Sequence, residues 1–247
     1  MNDIEYYQGY YSQMGDAAYL GEKCKTSSRM LVFCEWLRKE LKPGAKILDI
    51  GCGDAIFAEL MPEFEWWGID INTEKATPRF TENWERLTEH DIMKAPYPFQ
   101  PGIFDAVISS ECLEHLWDLR VVHKEAKRLL KRDGLYVIST PNFDWLQNHL
   151  EHFRRIMPVN GQSWTWEHIR HYNFDNHKEH LNSVGFVVEN HTGADAHYCP
   201  VFANACRSIR DGLRRDGIEV SEERLHQLVG EGVPFYQHTV IISARKA

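Results

Sequence analysis

Apolar positions along the chain follow two different spacings. From Thr26 to Leu41 they recur at helical intervals (Met30, Phe33, Cys34, Leu37, Leu41), with Thr26 or Ser27 placed to cap the helix and Lys42-Pro43-Gly44 to stop it. After that, short apolar runs alternate with helical stretches. The runs predict strands at Lys46–Ile50, Glu65–Ile71, Phe104–Ser110, Leu135–Thr140, Phe186–Asn190 and His238–Arg245, with His90–Ile92 as the tail of a short third strand. Helices are expected at about 54–61, 119–131 and 175–184, the last ended by Gly185. Pro78 should kink or divide the helical stretch Thr73–Leu87. Such alternation predicts a mostly parallel sheet covered on both faces.

Two stretches break the alternation. Residues 142–173, dense in Trp and His, read as a lid insertion, and 192–237 reads as a partly helical insertion between the last two strands. Residues 1–25, rich in Tyr and Gly, read as a helical arm. The 247 residues are then expected to form a single domain, and a hydrophobic content of 43% allows a substantial core.

Charge narrows the range of partners. The formal net charge is -8, which argues against a main grip on phosphate backbones, so nucleic acid is not expected as a partner. Arg207, Arg210, Arg214 and Arg215 read better as a solvated helix face than as a binding patch. None of the six cysteines (Cys24, Cys34, Cys52, Cys112, Cys199, Cys206) forms a C-x-x-C pair, which fits a reducing compartment. The first residues lack the pattern of a signal peptide, and no apolar run nears the ~20 residues of a membrane span. A cytoplasmic location with no membrane partner is expected; oligomeric state is left open.

The strongest chemical signal is Ile47-Leu48-Asp49-Ile50-Gly51-Cys52-Gly53-Asp54-Ala55, an apolar strand that turns through two glycines into a helix. Glycine lets the backbone turn tightly and a ligand approach closely, and free N–H groups at a helix start favour an anionic group. A phosphate-binding G-x-x-x-x-G-K-[ST] loop is absent, and a dinucleotide G-x-G-x-x-G/A would need a small residue where Ile56 stands. What remains is an acid two positions before the first glycine.

Asp49-x-Gly51-x-Gly53 resembles the first motif of class I S-adenosylmethionine-dependent methyltransferases, with Ala55 in place of that family's usual third loop glycine. The likeness continues in order. Trp66-Trp67-Gly68-Ile69-Asp70-Ile71 resembles the second strand, whose terminal acid holds ribose hydroxyls, and His90-Asp91-Ile92 resembles the segment that brackets the adenine. Residues 104–116, which include Ser110, Glu111 and His115, resemble the fourth strand and its loop. Residues 134–142 and 168–174 are similar to the branch that includes ubiquinone-biosynthesis methyltransferases, and 236–246 to the final strand.

The resemblance implies a Rossmann-like α/β fold: a mostly parallel seven-stranded sheet with helices on both faces and an antiparallel final strand. It implies S-adenosylmethionine as cofactor and S-adenosylhomocysteine as product. The cofactor contacts it implies are Asp49, Gly51, Cys52, Gly53, Asp70, Ile71, Asp91, Ile92, Ser110 and Glu111. His115 is the candidate general base, since an imidazole accepts a hydroxyl proton near neutral pH; its other reading is a loop histidine packed beside the cofactor.

Cys52 reads as a small buried hydrophobe, with nothing basic placed to activate it. His149, His152, His168, His171, His177 and His180 lack a ligand signature, so no metal is expected. Trp145, Trp164 and Trp166 could line an aromatic pocket or form the lid's own core. The fourth strand leads into Ser109-Ser110-Glu111-Cys112 rather than the Pro-Pro-aromatic motif of adenine amino-methyltransferases. The expected reaction is therefore methyl transfer to an oxygen of a small molecule. Methylation of a macromolecule (a protein side chain or modified tRNA) and cofactor binding without catalysis are the alternatives.

Overall fold

The computed structural model describes residues 27–73, 86–144, 170–194, 200–221 and 239–247. Helix α1 (Ser28–Glu40) starts where Ser27 Oγ accepts the Met30 N–H, and it buries Met30, Phe33, Cys34 and Leu37 on one face. Its last turn carries Arg38 and Lys39, cations that suit a helix C-terminus. Strand β1 (Lys46–Ile50) is buried from its second residue onward, as expected of a strand covered on both faces. There follow α2 (Ile56–Leu60), β2 (Glu65–Asp70), β3 (Leu87–Glu89), β4 (Phe104–Ser110), a single 3₁₀ turn (Leu113–His115) and α3 (Leu119–Leu129). The remaining elements are β5 (Leu130–Pro141), α4 (Phe174–Ser183), β6 (Phe186–Ala194), α5 (Pro200–Arg215) and β7 (Thr239–Lys246).

The seven strands order as β3-β2-β1-β4-β5-β7-β6, and β7 runs antiparallel to both β5 and β6. This is the mostly parallel, seven-stranded, Rossmann-like sheet with an antiparallel final strand that the sequence predicts. Strand order reverses between β1 and β4. In open α/β sheets the crevice beyond the strand ends at such a reversal is where ligands bind.

Side chains alternate across the strands into two cores. Leu48, Ile50, Val107, Tyr136 and Ile138 pack under α3 and α4, against Leu119, Val122, Leu129 and Leu181. Ile47, Ala106, Ile108, Leu135 and Val137 pack on the other face, against Phe33, Leu37 and Phe57. The opposite facing of Ile47 and Leu48 is what period-2 geometry dictates.

Several boundaries move. Helix α2 begins at Ile56 rather than near Asp54, because Ala55 takes a left-handed conformation that a helix cannot continue through. Strand β3 ends at Glu89, so His90–Ile92 follow it instead of forming its tail. Strand β5 begins at Leu130, with a register shift against β4 between Phe104 and Ala106. Strand β6 runs on to Ala194, which pairs with Thr239, so the first residues of the 192–237 stretch belong to the sheet. The arm at 1–25, most of the Thr73–Leu87 stretch and most of 142–173 lie outside the described residues.

Candidate active site

The turn after β1 is held in an unusual backbone. Gly51 (φ 72°), Gly53 (φ 51°) and Ala55 (φ 59°) are all left-handed. Gly51 donates its N–H to Ile69 O (2.8 Å), which ties the turn to the end of β2, and Ala55 donates to Cys52 O (2.7 Å). A Cβ on Gly51 would collide with Cys112 Sγ and lie 2.8 Å from its Cβ. Glycine at 51 is therefore required by the positive φ and by Cys112. The positive φ is the tight turn that the sequence predicts, whereas the contact with Cys112 is visible only in the fold.

The loop also differs from the anion site its glycines suggest. Gly53 N–H donates to Asp70 Oδ2 (2.9 Å), and the helix beyond is only five residues long. A carboxylate of the chain itself uses the loop's donor. The resulting site is acidic, which suits a cation better than a phosphate.

Asp70 Oδ1 accepts the Asn72 N–H at 3.1 Å. Burial pushes the Asp70 carboxyl up, and the N–H bonds of Gly53, Asn72 and Ile71 pull against it, with burial winning. Asp49 is 4% exposed; burial, Asp70 and Asp54 together push its carboxyl well up. A cationic ligand here would relieve two crowded acids at once. Cys52 is buried beside them, and burial with Asp70 and Asp49 nearby pushes its thiol well up, away from a nucleophilic thiolate. Ile71 is half-buried next to Asp70.

His90 N–H donates to Asp70 O (2.8 Å), so Asp91 sits one residue past the backbone contact with the strand-end acid. Its Oδ1 accepts the Met93 N–H at 3.0 Å and its Oδ2 lies 3.2 Å from Lys94 Nζ. Both oxygens thus also serve their own turn. Ile92 is buried, and its carbonyl accepts the Tyr97 hydroxyl at 2.6 Å.

At the end of β4, Ser110 Oγ accepts from Arg29 Nη1 (2.6 Å) and lies 3.1 Å from Ser139 Oγ. Ser139 Oγ donates to Glu111 Oε1 (3.1 Å), and Glu111 stands in the left-handed region at φ 51°. Arg29 escaped the sequence reading. It sits in the first turn of α1, and periodicity marks only the helix's apolar face.

His115 closes the 3₁₀ turn. Its side chain is 20% exposed, with Nε2 at 3.7 Å from Oε1 of Glu114. Glu114 is 2% exposed; burial, then the nearby Glu111, pushes its carboxyl well up. The turn thus sets a partly accessible imidazole against a buried acid beside the β4 crevice.

The other histidines divide. His149, His152 and His168 lie outside the described residues, as do Trp145, Trp164 and Trp166. His177 is buried, bonded through Nε2 to Thr140 Oγ1 (2.8 Å) and packed against the Tyr172 ring, tilted by 37° with centroids 4.7 Å apart. Among the described residues no three His, Cys, Asp or Glu side chains converge as metal ligands. No described helix is long and apolar enough to cross a membrane.

Strand order, a left-handed glycine turn and paired strand-end acids together define a cofactor-binding α/β domain of the class I type. The methyltransferase-domain family profile matches residues 24–191, more than half of the chain, and the chain belongs to that S-adenosylmethionine-dependent family. It is 27% identical over 151 residues to a probable S-adenosylmethionine-dependent methyltransferase of Mycolicibacterium smegmatis, which covers 61% of this chain and 55% of that protein. It is 35% identical over 109 residues to a ubiquinone biosynthesis O-methyltransferase of Haemophilus ducreyi, covering 40% and 46%. The chain thus spans about half the length of the curated relatives it matches. A solved S-adenosylmethionine-dependent methyltransferase from Archaeoglobus fulgidus shares the fold, with a TM-score of 0.59 and 22% identity over 94% of this chain and all (100%) of that one.

Proposed function

We propose that the protein is a methyltransferase that moves the methyl group of S-adenosylmethionine to a hydroxyl oxygen of a small molecule. The observation that carries this reading is the juxtaposition, at the β1/β4 reversal, of a buried Asp49 and a half-buried Asp70 with the His115–Glu114 turn, whose preceding residue Cys112 packs against Gly51. The acids fit the cofactor by charge, because S-adenosylmethionine bears an ammonium and a sulfonium.

Asp70 would hold the ribose hydroxyls and stay in place through Gly53 and Asn72. Ile71 would pack beside the ribose, and Asp91 with Ile92 would bracket the adenine. The backbone of Gly51, Cys52 and Gly53 would line the amino-acid portion. Asp49, Ser110 and Glu111 would close that end, with Arg29 as counter-charge for the carboxylate. When bound, the sulfonium supplies an activated methyl group, so the chain need only position the acceptor and remove its proton.

His115 is assigned that proton. Glu114, whose Oε1 lies 3.7 Å from His115 Nε2, would orient the imidazole. Selection of the acceptor is assigned to residues 142–173 and 192–237, and closure over the cofactor to the arm at 1–25, within a single domain. The likeness to an O-methyltransferase supports oxygen as the receiving atom.

His115→Ala tests the assignment. Affinity for S-adenosylhomocysteine, read by calorimetry, should stay within a few-fold, while turnover in a homocysteine-release screen of hydroxyl acceptors should fall roughly 10²–10⁴-fold. Normal turnover by that variant would remove His115 from the chemistry. Binding of the cofactor with no acceptor methylated, in any class, would make the protein a cofactor-binding module.

A further inference from the structure

We infer that Arg170 is a positioning residue: it clamps the turn that carries His115 from both sides, acting across more than fifty residues of chain. The inference rests on the reading of His115 as the proton acceptor. A single 3₁₀ turn has few bonds of its own; here His115 N–H donates to Cys112 O (3.1 Å) and Leu116 N–H to Leu113 O (3.2 Å). Arg170 bonds the carbonyls that flank the histidine. Its backbone N–H donates to Glu114 O (3.1 Å), and its Nη2 donates to Trp117 O (2.9 Å). The guanidinium also lies over the Trp117 indole, 5.9 Å from the ring centroid.

The guanidinium takes the Trp117 carbonyl while the backbone N–H of the same residue takes that of Glu114. Arg170 is held to this task from behind. Tyr172 bridges to Asn142 at the end of β5, and its carbonyl accepts the Phe143 N–H at 2.9 Å. The Tyr172 ring packs against His177, which is bonded to Thr140 of β5. A strut therefore runs from the end of β5 through Tyr172 to Arg170 and onto both sides of His115. Its side-chain half ends at Trp117, which is 60% exposed and has little packing of its own to hold it.

Arg170→Met keeps the aliphatic stem and the backbone N–H but removes the bond to Trp117 O. Arg170→Lys keeps one donor of similar reach. The readout is the imidazole Cε1–H spectrum of the full-length protein saturated with S-adenosylhomocysteine, titrated over pH, with the His115 line identified by its loss in His115→Gln. In Arg170→Met the His115 line should broaden or split. The His123 and His177 lines and the S-adenosylhomocysteine affinity should hold, and Arg170→Lys should restore most of the wild-type behaviour. A His115 line unchanged in Arg170→Met overturns the inference, as does equal disturbance of His123 and His177, which would mark a general loss of packing. Failure of the base assignment shows separately, as normal turnover in His115→Ala with the His115 line still dependent on Arg170.

Discussion

The ends of β1 and β2 bury carboxyls, whereas the space between β5, α3 and α4 buries imidazoles, and the two clusters are built differently. Asp49 and Asp70 lie beside three left-handed residues at the strand ends, and Asp70 adds to the difficulty of charging Asp49. His123 and His177 lie inside the core, each bonded through one nitrogen to a hydroxyl, His123 Nδ1 to Tyr136 (3.1 Å) and His177 Nε2 to Thr140 (2.8 Å). Burial holds both histidines neutral, and each keeps its second ring nitrogen (His123 Nε2, His177 Nδ1) buried without a hydrogen-bond partner. The acids are crowded, and among the left-handed residues beside them Ala55 carries strain, since glycine takes that conformation freely. Strain and like charge at an edge mark a site; neutral polar groups with short partners mark a core.

The largest effect should come from the carboxyl side. Gly51→Ala forces a side chain into a left-handed position and against Cys112, so unfolding free energy should drop by about 2–4 kcal/mol. Adding Cys112→Ala removes the Sγ collision but keeps the Cβ one, so it should recover only part of the loss and leave more than the roughly 1–2 kcal/mol of the backbone. Denaturant unfolding of the two variants measures both. Equal losses would mean that the Cys112 sulfur is not the obstacle.

Asp70→Ala comes next. It removes the acceptor for Gly53 and Asn72 and the proposed ribose ligand, so S-adenosylhomocysteine should bind about 1–3 kcal/mol more weakly by calorimetry. His177→Gln, on the core side, should leave that affinity unchanged. Loss of binding in His177→Gln with none in Asp70→Ala would reverse the assignment of site and core.

Acid separates the clusters by sign. Burial and the neighbouring His123 and His180 push His177 down to about 3, and burial with His180 pushes His123 down to about 3, with Asp118 pulling His123 the other way. The stability these histidines contribute is full above the unfolded value near 6.5 and is lost as pH falls toward 3, because only the unfolded chain takes up the protons. Raised carboxyls act oppositely: Asp49 and Glu114 contribute most below the unfolded value and lose that contribution as pH rises through the folded one. Each histidine should cost about 1 kcal/mol between pH 6.5 and 5.5. His177→Gln keeps a partner for Thr140 but cannot titrate, so its unfolding curves should lose about half of the histidine slope. An unchanged slope would mean that His177 is not held neutral.

What the sequence revealed of this contrast depended on range. Strands β1 and β4 begin and end where their apolar runs do, and Ser27 caps α1 as its position suggests, because each depends on neighbours a few residues away. Strand β6 outran its pattern because β7 supplies partners as far as Ala194. The acids at 49 and 70 stood out by spacing to the glycines. Arg29 and Arg170 did not, because their partners Ser110 and Trp117 lie 81 and 53 residues away. Gly51 was legible as a glycine position, but the side chain that requires it, Cys112, is brought there only by the sheet.

Ala55 gives the smallest effect and the finest test of strain at the edge. It sits at φ 59°, ψ 36° with its methyl group buried, where the resemblance places glycine. Ala55→Gly relieves about 1–2 kcal/mol of left-handed strain. It gives up about 0.8 kcal/mol of methyl burial and roughly 0.5 kcal/mol through a looser unfolded chain. The terms nearly cancel, so its stability should stay within about 0.5 kcal/mol of wild type. Ala106→Gly, equally buried but in the extended backbone of β4, has no strain to release and should cost about 1–2 kcal/mol. If both variants lost the same amount on denaturant unfolding, Ala55 would be an ordinary core alanine, and the left-handed turn would hold less strain than its φ implies.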